Sequence, residues 1–288
     1  MKKKTYLFLT KIVMTAVVLF TLLFMTTCET LASGLKEPRF TFQSAQFLNM
    51  SVNGLQLLCK VQVQNPNSFE IPFPETDWAL SINRNAFANS TVSNSQRIRA
   101  GGSTVIDVPI NLDFAGIFRS ITSLRGTSRA DYKVDMGFKI PIPVFGTKVW
   151  KLDHSGNLPL PQAPRLNSPS IRLGDINLTR AELIVSMNFE NPNTFTLPAP
   201  KITYNYMVNN NSFIRGTLDN LGTLAASATT PINFRLQVTY ADLFRSFAAL
   251  MTQSNVATNL DFTCDFGFAD YGWNTLNNVL PFTLPIRR

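Results

Sequence analysis

Few side chains in this sequence could do chemistry, and their spacing argues against the common reactions. The single histidine, His154, stands in Asp153-His154-Ser155-Gly156. Asp, His and Ser relay a proton when they meet in space from distant positions, which immediate neighbours cannot do. The tetrapeptide is expected to be a turn. One histidine and cysteines that do not cluster also lack a zinc site's usual ligands. Asp107, Asp113, Asp131 and Asp135 do not follow a calcium-loop spacing. Gly101-Gly102-Ser103 is a lone turn, not a phosphate loop. No catalytic residue, cofactor site or metal site is expected, and the chain reads as a non-enzyme.

The cysteines call for packing or modification. Cys59 alternates with Leu57 and Val61, and Cys264 with Phe262 and Phe266. Each therefore points into a core. A bridge needs Cα atoms within about 7 Å, which two separate cores do not allow, so both are expected as free thiols. Cys28 differs. Residues 1–27 have a basic start (Lys2, Lys3, Lys4, Lys11) and an apolar run from Ile12 to Met25. That length suits a signal peptide and is short for a spanning helix. Cys28 follows as the lipidated cysteine of a bacterial lipoprotein would, although Met25-Thr26-Thr27 is an imperfect processing signal. A cut after Ala32 would release a soluble periplasmic or secreted protein, and an uncleaved anchor over 6–27 is the third option. The expectation is export, with a lipid anchor at Cys28 on the periplasmic or outer surface of the cell envelope and the membrane as partner.

The elements that place these residues come from a repeat. Val61-Gln62-Val63-Gln64-Asn65-Pro66-Asn67-Ser68-Phe69 is matched by Met187-Asn188-Phe189-Glu190-Asn191-Pro192-Asn193-Thr194-Phe195. Each is an alternating strand that ends at a proline, which has no N–H for the ladder. The same offset of 126 pairs Pro72 with Pro198, Phe87 with Phe213, Phe118-Arg119-Ser120 with Phe244-Arg245-Ser246, and Leu158-Pro159 with Leu284-Pro285. Two copies of one domain follow. Residues 1–27 are leader and 28–38 a tether. Residues 39–161 form the first domain, 162–169 a Pro-rich linker, and 170–288 the second domain. Four prolines between 159 and 169 suggest a semi-rigid spacer and a shape of two beads on a short rod.

Within each copy, strands near 77–83 and 86–92 flank an Asn83-Arg84-Asn85 turn, echoed by Asn209-Asn210-Asn211. A strand spans 104–112. Phe114, Ile117, Phe118, Ile121 and Leu124 have helical spacing, as do Tyr240, Leu243, Phe244, Phe247 and Leu250. Asp113 is the expected N-cap of the first helix, and Thr239 with Asp242 a capping box for the second. The asparagines of Asn65-Pro66-Asn67 and Asn191-Pro192-Asn193 are expected to cap strand ends for the fold. Their amides could alternatively meet sugars or peptide backbone.

Strands ending in Asn-Pro-Asn, a Pro-rich turn, a helix and a closing Leu-Pro resemble the water-stress and hypersensitive-response (WHy) domain of the type 2 late-embryogenesis-abundant (LEA) proteins. In the first copy, residues 140–147 and His154-Ser155-Gly156-Asn157-Leu158-Pro159 look like that family's last hairpin. The second copy departs there, with Asp270-Tyr271-Gly272-Trp273-Asn274. The resemblance implies a mostly β fold of two tandem antiparallel immunoglobulin- or fibronectin-III-like sandwiches, each with one short α-helix. It also implies a role in desiccation or stress protection.

Composition bounds the partners. Of the 26 Lys and Arg, four lie in the leader, leaving 22 against 18 Asp and Glu from Cys28 onward. The arginines are scattered, unlike a nucleic-acid footprint, so no nucleic acid is expected. Hydrophobic content of 45% excludes a disordered hydrophilic chain. Two alternatives to stress protection remain at this point. One is a surface adhesion or envelope-assembly module that binds protein or glycan. The other is a sandwich that binds lipid between sheet and helix.

Overall fold

A computed structural model describes residues 36–93, 96–142, 146–252 and 254–286. The leader, Cys28 and most of the tether lie outside the described residues. The chain is mostly β. In the first domain, β1 (Arg39–Leu48), β2 (Gly54–Gln64) and β7 (Ser103–Asp113) form a three-stranded sheet in the order β1-β2-β7. β4 (Glu75–Ile82), β5 (Asn85–Val92), β8 (Arg129–Ile142) and β9 (Gly146–Pro159) form the facing sheet in the order β5-β4-β8-β9. Every described pairing is antiparallel. β3 (Ile71–Pro72) and β6 (Arg97–Ile98) make a short side pair, in which Ile98 is buried.

The second domain repeats this. β10 (Arg165–Ile176), β11 (Arg180–Asn191) and β16 (Ala228–Thr239) form the three-stranded sheet. β13 (Lys201–Val208), β14 (Asn211–Leu218), β17 (Asn255–Asp265) and β18 (Leu276–Pro285) form the four-stranded one. β12 (Leu197–Pro198) and β15 (Thr223–Leu224) are the side pair. The hairpin turns have positive φ at both central residues, 46° and 67° at Asn83 and Arg84, 47° and 63° at Asn209 and Asn210. Such turns match the twist of the strands they join.

Period-2 alternation explains the cores. Leu57, Cys59, Val61 and Val63 face Ile106, Val108 and Ile110, all buried. Leu183, Val185, Met187 and Phe189 do the same in the second core. Cys59 and Cys264 are buried free thiols in different cores.

The helices are shorter than the periodicity suggests. α1 (Phe114–Ser120) and α2 (Tyr240–Ser246) each end after seven residues, and a 3₁₀ turn carries the rest of the stripe. Asp113 caps α1, accepting from the amides of Ala115 (3.3 Å) and Gly116 (2.7 Å). Thr239 is the N-cap of α2 but its hydroxyl makes no cap bond. The capping box is therefore absent, and Asp242 instead pairs with Arg245 at 3.2 Å.

Two further expectations are corrected. His154 lies in strand β9 opposite Val134, not in a turn, and its ring stacks on Phe42 at 3.9 Å. Partial burial there lowers its pKa, with the Asp153 carboxylate opposing. The stretch 162–169 is also not a free spacer. β10 begins at Arg165, Leu160 belongs to the first core, and Pro161 and Pro164 are buried.

Nor do the halves sit apart on a rod. Between β17 and β18 a 3₁₀ turn (Ala269–Tyr271) docks on the first domain. Tyr271 is 3% exposed and packs in the first core, 4.9 Å from the ring of Phe118. Its hydroxyl donates to the Val52 carbonyl at 2.7 Å, and Arg119 pairs with Asp270 at 3.1 Å. Gly272 follows with φ 72°, and a Cβ there would stand 2.9 Å from the Arg125 Cβ. Glycine is required on both counts.

Candidate functional site

The repeated Asn-Pro-Asn strings build the same clasp twice. Asn65 is fully buried at the end of β2. Its side-chain amide donates to the carbonyls of Phe69 (2.8 Å), Ile98 (3.2 Å) and Arg99 (3.1 Å). Its Oδ1 accepts from the Asn67 backbone (3.1 Å) and side chain (2.9 Å). Asn67 then exchanges two bonds with the backbone of Lys36, at 2.8 and 2.9 Å. Pro66 between them donates nothing, so the strand stops and both amides turn inward.

In the second domain Asn191 donates to Phe195, Leu224 and Ala225 at 2.9, 3.2 and 3.1 Å. Asn193 exchanges two 2.8 Å bonds with the backbone of Gln162, across Pro192. Lys36 and Gln162 are themselves 126 residues apart. Each clasp ties the segment entering its domain to the end of the second strand. These amides are saturated by main chain, so they have little left to offer a sugar or peptide. Lys36 and Gln162 carry no side-chain signal in the sequence, because the clasp reads only their backbone.

Two open surfaces able to meet a partner are the outer faces of the four-stranded sheets, and they differ in the groups they present. In the first domain Lys139 bonds Asp77 (2.6 Å) and Glu75 (2.9 Å), and Lys133 pairs with Asp135. Hydrogen bonds from Lys139 and Thr91 hold the Asp77 carboxyl below its ordinary pKa. In the second domain the registered neighbours Thr217, Thr203, Thr263 and Asn277 form a neutral row across all four strands. The Thr263 hydroxyl donates to Asn277 Oδ1 at 2.8 Å. The row lies in an open depression of about 990 Å³ with Asn205, Arg215, Asp261 and Val279. The row itself, flanked by Arg215 and Asp261, can hydrogen-bond without desolvating a charge of its own.

Buried protic groups lie away from these faces. Burial pushes the Cys59 thiol up to about 11, Cys264 to about 12 and the Tyr206 phenol to about 12. None is poised as a nucleophile, since the thiolate is the reactive form. Among the described residues no group of three or more His, Cys, Asp or Glu could hold a metal ion. Among them, too, no helix is long and apolar enough to cross a membrane. The aromatic turn around Tyr271 was the contact that sequence reasoning missed. The break in the repeat at Asp270-Tyr271-Gly272-Trp273 was its one signal.

The sequence profile of the late embryogenesis abundant protein family (LEA_2) matches residues 60–156 and 187–282, one stretch per domain. The desiccation protectant protein Lea14 homolog of Glycine max is 26% identical over 129 residues, 45% of this chain and 85% of that protein. A desiccation-related protein of Arabidopsis thaliana is 26% identical over 124 residues, 43% of this chain and 75% of its own length. The solution structure of a late embryogenesis abundant protein is 28% identical and covers 51% of this chain and 86% of that one, with a TM-score of 0.38.

Proposed function

The chain belongs to the late embryogenesis abundant (LEA_2) family, its two domains each matching the family profile, and from that premise we propose a non-catalytic role in desiccation and stress protection at the cell envelope. The observation that carries the reading is the duplicated family match, with relatives named for desiccation. The second domain's outer face suggests a mechanism. As water leaves, neighbouring macromolecules lose hydrogen-bond partners, and a fixed array of hydroxyls and amides supplies them. Thr203, Thr217, Thr263 and Asn277 offer donors and acceptors with no net charge to strip of solvent.

The test is drying an unrelated enzyme with the purified protein and assaying recovered activity after rewetting. Protection above that of an equal mass of serum albumin is expected. Its absence would remove the protective reading. The triple variant Thr203→Val, Thr217→Val, Thr263→Val should lose most of the effect. Full protection by that variant would exclude the neutral face as its source.

Location rests on the leader. The lysine-rich start, the apolar run and Cys28 support export and a lipid anchor. Two acyl chains suffice for stable anchoring, each buried CH₂ contributing about 0.8 kcal/mol. Cys28→Ser should move the protein from the detergent phase to the aqueous phase. Wild-type protein wholly in the aqueous phase, beginning at Ser33, would instead place the cut after Ala32.

A further inference from the structure

The end of the first domain that receives Tyr271 has a twin at the far end of the second domain. The backbone is the same at both. The Ser51 amide donates to the Gly54 carbonyl at 2.9 Å, and Asn177 to Arg180 at 3.0 Å. The Phe114 amide that starts α1 donates to Asn53 at 3.0 Å, and the Tyr240 amide that starts α2 to Thr179 at 2.9 Å. Side chains at the offset of 126 also keep their type. Val52 corresponds to Leu178, Met50 to Ile176, Phe118 to Phe244 and Arg119 to Arg245.

Their exposure does not match. Val52 is half-buried and Phe118 fully buried, because the turn bearing Phe268, Tyr271 and Trp273 covers them. Leu178 is 73% exposed, the highest value among the large apolar residues found exposed, and Phe244 is only half-buried. The Arg245 side chain is 79% exposed, against 59% for Arg119. An apolar patch beside an arginine, on a backbone whose copy is an occupied interface in the same molecule, is a docking surface without its occupant.

We infer that the Leu178–Phe244–Arg245 end of the second domain binds a partner polypeptide that presents an aromatic turn carrying a carboxylate. The chemistry is that of the contact already made by the first domain. There a phenol donates to a turn carbonyl, its ring packs at a tilt against Phe118 of the helix, and Asp270 pairs with the arginine. At the second site the Leu178 carbonyl, the Phe244 ring and the Arg245 guanidinium stand at the corresponding positions of the repeat, Arg245 pairing with Asp242 of its own helix at 3.2 Å in the unoccupied site. The inference does not depend on the protective role.

The probe is a cyclised, fluorescently labelled peptide with the sequence of residues 265–275, titrated into the full chain. Saturable binding is expected, weakened at least tenfold by Leu178→Asp and several-fold by Arg245→Glu, the latter more at low salt. Val105→Asp, an exposed apolar site elsewhere, should leave it unchanged. Melting curves of the variants should match the wild type, since both side chains are mostly exposed. No saturation up to about 1 mM peptide, an affinity near 4 kcal/mol, would overturn the inference. So would binding indifferent to Leu178→Asp. Sedimentation is the second arm. A wild-type dimer that Leu178→Asp converts to monomer would make a second copy the occupant and overturn the assignment to a partner.

Discussion

The last hairpin of each domain starts alike and finishes differently. In the first domain β8 runs on to Ile142 and β9 resumes at Gly146, so the two strands stay paired as far as Ile142 and Gly146. In the second, β17 stops at Asp265 and β18 resumes at Leu276, and the residues between leave the sheet to cover the neighbouring domain. The clasps, by contrast, agree in bond pattern and within about 0.1 Å in length. Positions that satisfy buried main chain are held, because a changed side chain there strands several carbonyls at once. Hairpin tips satisfy their own backbone and can be recast, here from a β extension into an interdomain plug.

Breaking the plug should have the largest effect. Tyr271→Ala removes a buried ring and the bond to Val52, and about 4 kcal/mol is expected by analogy with large aromatic truncations. The loss should fall on the first domain although the residue belongs to the second. Urea unfolding followed by hydrogen exchange at β2 and α1 would show it. A loss confined to the second domain would mean that the plug does not support the first core.

The clasps should respond equally. Asn65→Ala and Asn191→Ala each leave three carbonyls without their donor, so each should cost about 3 kcal/mol, read as a shift in urea midpoint. A difference above about 1 kcal/mol would show that the two copies are not energetically equivalent.

Alkaline pH should weaken both domains through their buried acids, a point on which the two copies agree. Cys264 and Tyr206 are raised to about 12 in the second core; in the first, Cys59 is raised to about 11, Tyr271 to about 12, and burial raises Tyr132 as well. A raised folded pKa stabilises below the unfolded value, near 9 for thiols and 10 for phenols, and that contribution is lost as pH climbs toward the folded value. Stability should thus fall from about pH 9 upward in both domains, with smaller losses at pH 10 than from either substitution above. Chemical denaturation at stepped pH, with probes in each domain, would check this, and a loss confined to one domain would contradict it.

The helix caps should give the smallest contrast. Asp113→Ala is expected to cost about 1 kcal/mol, and Thr239→Ala a few tenths at most, since only Asp113 makes cap bonds. Equal losses would contradict that difference.

Much of the fold was legible in the chain. Alternation placed Leu57, Cys59, Val61 and Val63 inward because successive strand side chains face opposite sides. The offset of 126 found two domains because identical backbone constraints select similar residues twice. Asn-Pro-Asn announced a strand end because proline cannot donate to a ladder. Tertiary structure alone decided what those asparagines hold. Lys36 and Gln162 contribute only main-chain atoms, which every residue has. The same holds for Val52, whose carbonyl takes the Tyr271 hydroxyl. His154 stands in a strand because β8 offers it a register partner, which outweighs the turn propensity of its neighbours. Local pattern reports the period and punctuation of a chain, but which distant backbone group a side chain satisfies depends on packing that no short window contains.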